Sequence, residues 1–224
     1  MTVLVIQPSN ISPLGDLETY IVEEQIPYTS IQIERGEVPP TSDAGFTALI
    51  VLGGEMSVND KALYSFIEST QQLIRMFHEK SKPILGICLG GQMIASAFSA
   101  SITRMPTKEF GLTLLHKTSS ANSDPLFFDL PKRMKFMQYH EDVFSLPTEA
   151  LQLCSGDVCE QQAFRIGSKT YALQFHPEVN ARIASEWVEH FGQQNRRVEK
   201  IDGSDLAEAQ SWAAHLFRRW LTLV

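Results

Sequence analysis

The segment Lys82 to Met93, KPILGICLGGQM, sets a single cysteine, Cys88, among glycines at the point where an apolar strand gives way to an amphipathic helix. Two readings stand open for this segment alone. A free cysteine packs well as a small buried hydrophobe. Alternatively, a nucleophile on a tight strand-to-helix turn needs small residues two positions to either side, and Gly86 and Gly90 occupy those places. Such a turn also aims the N–H groups of the helix start at the sulfur and favours the thiolate. Gly86, Gly90 and Gly91 do not form a dinucleotide fingerprint, and no P-loop lysine and hydroxyl follow, so no cofactor is expected.

A thiol nucleophile needs a base. Of six histidines, His176 closes the apolar run TYALQF, and Pro177 cannot extend a ladder, so the strand ends with His176 at its carboxyl edge. Ligands of α/β sheets gather at that edge. Glu178, two residues on, can turn back to hold the imidazole and stabilise its protonated form. The alternative reading of His-Pro-Glu is a surface turn. Acyl transfer further requires donors for an oxyanion. In ALIVLGGE the backbone of Gly54 lies uncovered at a strand end, and its N–H, with that of Leu89 beside the cysteine, makes a candidate pair.

These groups need a parallel sheet to bring them to one edge. Apolar runs TVLVIQ, TSIQIE, TALIVLGG and PILGI alternate with helical periodicity near Leu14 to Glu24, from Asp60 to Ser81 and over Leu89 to Phe98. The helix after Asp60, with Asp60 as cap, shows Leu63, Phe66, Ile67, Thr70, Ile74 and Phe77 on one face. The second half reads as strands: SITRM, GLTLLHK, KFMQY, LQLCS, CEQQAFRIG and KTYALQFH, with RIGSKTY as a hairpin. Two helices follow, over Ala181 to Gly192 and from Ser204, and the polar stretch QQNRRVEKIDGSD between them is the one linker-like segment. The stripe Leu206, Ala209, Ala213, Leu216, Phe217, Trp220 predicts that the last helix packs on its own sheet, with a partner surface as the alternative. The expectation is one α/β domain over residues 1–224: a mostly parallel central sheet flanked by helices, a small antiparallel patch, and a C-terminal helical extension from about 204.

At 224 residues the chain buries a core without covalent staples. Its three cysteines, Cys88, Cys154 and Cys159, lack metal-ligand spacing, so no metal is expected; Cys154 and Cys159 read as inert thiols, and a reducing, cytoplasmic compartment follows. A net charge of −7 without a basic cluster excludes nucleic acid as a natural partner. The absence of a basic leader and of any run of about 18 apolar residues argues against membrane association. His140 reads as a partly buried loop histidine, with a second-base role open; His78, His116, His190 and His215 fall on amphipathic segments with no acidic partner in register.

Taken in order, VLGGEMSVND, PILGICLGGQM, KEFGLTLL, QYHEDVFSLP, QAFRIG and ALQFHPEV resemble the class I glutamine amidotransferases over nearly the whole chain. They are most similar to stand-alone members like the glutaminase domain of GMP synthetase, a group that includes plant γ-glutamyl peptidases. The resemblance implies a flavodoxin-like fold, with Cys88 as nucleophile, His176 as base, Glu178 as orienting acid, and Gly54 and Leu89 as oxyanion donors. It further implies that Gln92 and the backbone of Tyr139, His140, Glu141 and Asp142 hold the amino-acid end of glutamine or a γ-glutamyl compound. Ammonia would then pass to a separate synthetase chain. Three departures stand out: Glu141 replaces a usual glycine, Gly91 a usual histidine or alanine, and paired glycines are missing near AFSASITRM. The carboxylate of Glu141 is expected to repel the α-carboxylate of free glutamine unless a cation intervenes. Two alternatives to glutamine hydrolysis remain: a γ-glutamyl peptidase, and a silent binding subunit that ammonia release would distinguish. An α/β-hydrolase orders its triad as nucleophile, acid, histidine, which this chain does not.

Overall fold

Val3, Leu4, Val5 and Ile6 are all fully buried, which a strand achieves only when both faces of its sheet are covered. The computed structural model, which describes residues 1–193 and 201–224, shows how. Its strands are β1 (Val3–Gln7), β2 (Tyr28–Gln32), β3 (Ala48–Val51), β4 (Ile84–Ile87), β5 (Ile102–Lys117), β6 (Arg133–Phe144), β7 (Leu151–Gly156), β8 (Ala163–Ile166) and β9 (Thr170–Leu173). Its α-helices are α1 (Asp16–Glu23), α2 (Phe66–Glu79), α3 (Leu89–Ala97), α4 (Ala181–Gln193) and α5 (Gly203–Leu221). The strands form one sheet in the order β2-β1-β3-β4-β9-β8-β7-β5-β6.

Successive side chains of a strand point to opposite faces, and the two cores follow that alternation. Val3, Val5 and Ile50 join Leu17 and Ile21 of α1 and Leu216, Phe217 and Trp220 of α5. Leu4, Ile6, Leu49 and Val51 join Phe66, Ile74 and Phe77 of α2 and Leu89, Met93 and Ile94 of α3. The last helix therefore lies on its own sheet, through the predicted stripe. Asp202 caps it, accepting from the N–H groups of Ser204 and Asp205. Residues 194–200 of the linker-like stretch lie outside the described residues.

β2, β1, β3, β4 and β9 pair in parallel, whereas β9, β8, β7, β5 and β6 pair antiparallel. The antiparallel half is thus larger than the patch expected. SITRM and GLTLLHK read as two strands because Pro106 lacks an N–H for the ladder; the chain instead stays extended through β5 and shifts register between Arg104 and Glu109. The predicted hairpin is present, with Arg165 opposite Tyr171 and Ile166 opposite Thr170.

The helix expected from Asp60 begins only at Phe66. Leu63 and Tyr64 both donate to the Asp60 carbonyl in a turn, and Leu63, placed by periodicity on the buried face, is 78% exposed. Ser65, not Asp60, precedes the helix, with no side-chain cap bond. Among the described residues, no helix is long and apolar enough to cross a membrane.

Candidate active site

Cys88 stands between β4 and α3 with φ 52° and ψ −108°, a left-handed backbone that a residue with a side chain adopts only under constraint. The glycines around it are required by close approach. A Cβ on Gly86 would lie 2.5 Å from the Gly90 carbonyl oxygen, and one on Gly90 would lie 1.9 Å from that of Val51. Gly91 likewise presses on Leu173, its would-be Cβ 2.6 Å from the carbonyl oxygen, so the departure there is filled by the neighbouring strand.

β9 pairs in parallel with β4, so both chains leave the sheet at the same edge. The Cys88 N–H donates to the Leu173 carbonyl at 2.8 Å, and three residues beyond Leu173 comes His176. The His176 N–H in turn donates to Met137 of β6 at 2.8 Å. His176 Nδ1 meets Glu178 Oε1 at 2.6 Å, both side chains being almost wholly buried. Burial by itself would lower the imidazole pKa, but the Glu178 carboxylate and the Cys88 sulfur outweigh it and raise it to about 10. Nε2, the nitrogen away from Glu178, makes no hydrogen bond of ordinary geometry among the described residues, but the Cys88 sulfur is close enough to act on the imidazole both as a charge and as a hydrogen-bond partner. Trp187 of α4 packs edge-on against the imidazole, ring centroids 4.8 Å apart.

Cys88 and His176 open into one cavity of about 290 Å³ that Gly54, Gln92, Tyr139, His140, Glu141 and Asp142 also line. Leu89 heads α3, where an N–H has no intrahelical carbonyl to meet. Neither its N–H nor that of Gly54 makes a backbone hydrogen bond among the described residues. The Cys88 thiol donates to the Tyr139 carbonyl at 3.5 Å.

Four expectations change. The Gln92 amide is already engaged, donating to the Asp142 carbonyl at 2.9 Å and to Gln174 at 3.3 Å, so it braces the cavity wall rather than offering these hydrogens to a ligand. His140 lies within β6, not on a loop, and is 4% exposed, because it faces the buried Glu109 across the ladder. Glu141 is not an unopposed charge: Arg104 pairs with it and Lys108 approaches to 3.6 Å, so cations do intervene at the cavity mouth. Histidines expected to lack acidic partners also have them, since His116 meets Asp157, His190 meets Glu55 and His215 meets Asp129 across elements that periodicity along one segment does not connect.

Cys154 and Cys159 are buried, which pushes the first thiol up strongly and the second to about 12. Sequence reading missed Ser57, whose hydroxyl donates to Asp142 at 2.5 Å, and Arg104 and Lys108, all three in the cavity wall, along with Trp187 and Gly53, which press on the His176 ring. Only Gly53 carried a signal, as the first glycine of the Gly-Gly pair; a Cβ there would lie 2.9 Å from His176 Cε1.

Residues 16–193 match the family model described as glutamine amidotransferase class-I. The chain is 26% identical over 185 residues to the glutamine amidotransferase-like protein YfeJ of Salmonella typhimurium, covering 81% of this chain and 77% of that one. It is 31% identical over 137 residues to a glutamine-hydrolyzing GMP synthase component from Thermoplasma acidophilum, covering 60% of this chain and 64% of that one. A glutamine amidotransferase crystal structure from Thermotoga maritima superposes with a TM-score of 0.87 at 29% identity, over 100% of this chain and 97% of that one. The strained elbow at Cys88 between β4 and α3, the buried His-Glu pair and the sheet that unites them are thus those of a chain that belongs to the class-I glutamine amidotransferase family.

Proposed function

We propose that the protein hydrolyses the γ-amide of glutamine or a γ-glutamyl compound through a thioester on Cys88. One observation carries this reading: a cysteine at positive φ, heading a buried helix, shares a cavity with a buried imidazole that Glu178 meets at 2.6 Å and whose pKa that carboxylate raises. The thiolate attacks the γ-carbonyl, forming the S–C bond while the carbonyl electron pair moves to oxygen. The N–H groups of Gly54 and Leu89 receive that oxyanion. Collapse of the adduct breaks the C–N bond as His176 gives its proton to the departing ammonia or amine. A water, deprotonated by His176, then attacks the thioester and releases the γ-carboxylate and the thiolate. Glu178 keeps the imidazole in place and stabilises its charge. Tyr139, His140, Glu141 and Asp142 form the wall against which the amino-acid end rests, with Gln92 bracing Asp142 from behind.

The Thermoplasma relative, named as one component of a GMP synthase, supports a second polypeptide as the user of the ammonia. The test is ammonia and glutamate release from glutamine by the purified chain, beside a mass-detected screen of γ-glutamyl amides. Turnover is expected for the parent and none for Cys88→Ala. Activity that survives Cys88→Ala, or a folded parent that cleaves no member of the screen, overturns the proposal.

A further inference from the structure

Glu109 and His140 stand directly opposite each other on β5 and β6, and Cys159 reaches them from the turn between β7 and β8. One ligand atom of each lies within 4.8 Å of the other two. All three are buried, at 6%, 4% and 3% exposure. Among the described residues this is the one convergence of three side chains of metal-binding type.

The Cys159 thiol donates to the Gln161 carbonyl at 3.4 Å, whereas His140 keeps one ring nitrogen without a hydrogen bond. His140 Nδ1 lies 3.2 Å from the Asp142 carbonyl oxygen, which only accepts, so Nδ1 is the donor there and Nε2 is the ring nitrogen left to act as a ligand. Nε2 makes no hydrogen bond among the described residues, although Glu109 Oε2 stands 3.0 Å away. Nε2 and the Glu109 oxygen thus stand side by side as two donor atoms that one cation could bridge. The other neighbours are arranged as a supporting shell. The buried Gln162 donates to Glu109 Oε2 at 3.3 Å and is itself held by the buried Gln138 at 3.1 Å, while Asp142 fixes the ring of His140. Such outer partners orient metal ligands and set the imidazole tautomer.

We propose that Glu109, His140 and Cys159 form a metal site that takes zinc, with water at the fourth position. Mixed nitrogen, sulfur and oxygen donors suit this ion, and tetrahedral bonding asks for ligand atoms roughly 3.3–3.7 Å apart, which the three atoms, all within 4.8 Å of one another, reach by small side-chain shifts. Binding displaces the Cys159 thiol proton to solvent and forms bonds to Sγ, Nε2 and a Glu109 oxygen. The thiolate and carboxylate together cancel the two charges of the ion, leaving the buried site neutral. Bound there, zinc ties the turn at Cys159 to β6 beside Tyr139 and Asp142, the strand that walls the cavity. Sequence reading expects no metal because the three ligands lie far apart along the chain and meet only through the β5–β6 register.

The experiment uses the full chain carrying Cys88→Ala, so that the cavity thiol cannot supply a ligand and glutamine chemistry has no bearing on the outcome. After equilibration with zinc and removal of excess, mass spectrometric metal analysis is expected to find one equivalent. Cobalt in its place is expected to give a sulfur-to-metal charge-transfer band in the near ultraviolet. Adding Cys159→Ser abolishes that band, Cys154→Ser preserves it, and Glu109→Gln weakens zinc affinity about tenfold or more. Zinc also raises the melting temperature of the Cys88→Ala protein. No retained zinc, a cobalt spectrum without the thiolate band, or a band that persists in Cys159→Ser overturns the assignment.

Discussion

Glu178 is the residue whose removal separates holding the imidazole from charging it. An amide at this position keeps a hydrogen-bond partner for Nδ1 but withdraws the negative charge that does most to offset burial of the His176 cation. Glu178→Gln is therefore expected to fold and to lower turnover by roughly a hundredfold, with single-turnover acylation as the measurement. The same substitution alters pH dependence. An imidazole whose folded pKa is raised from 6.5 to about 10 contributes stability that is whole below 6.5 and lost as pH rises toward 10. The parent should lose melting temperature across that window, and Glu178→Gln should lose less. Equal slopes would show that the pair does not carry this linkage. Cys88, His176 and Glu178 were legible in the sequence because glycine spacing and a strand-ending proline mark their positions. Arg104 and Lys108 were not, since a charge beside Glu141 arises only when β5 folds along β6.

At the scale of elements, the site depends on how closely strand ends and helix starts approach. The loop after β3 passes so near His176 that only a glycine fits at position 53. Gly53→Ala places a methyl 2.9 Å from a ring carbon already held by Glu178 and backed by Trp187, so the imidazole must move. A displacement on the order of 1 Å costs about a hundredfold in rate, and kcat is expected to fall accordingly while the circular dichroism spectrum stays that of the parent. Unchanged kcat would show that the ring has room to yield. The elements themselves were readable where periodicity met a clear stop: α3 and the β8–β9 hairpin stand close to their predicted bounds. The start of α2 was not, because the turn at Asp60 to Tyr64 copies helical spacing without helical bonding.

For the whole molecule, the question is what closes the second face of the sheet. Trp220 is fully buried and joins Phe217 and Leu216 of α5 to Val3, Val5 and Ile50. Trp220→Ala is expected to lower unfolding free energy by about 3–5 kcal/mol in urea titration, with activity per folded molecule retained because the residue is not part of the cavity wall. A loss below about 1 kcal/mol would mean that α5 contributes little to the core and lies free for a partner. The sequence alone determined the apolar alternation of the parallel strands, the elbow at Cys88, the His-Glu pair and the amphipathic stripe of α5. These are local patterns, set by residues a few positions apart. Only the tertiary structure decided that β5 and β6 run as two long paired strands, that Gln92 braces Asp142, that cations meet Glu141, and that Glu109, His140 and Cys159 converge. Each of those depends on strand register, which joins residues distant in sequence and leaves no spacing along the chain to be read.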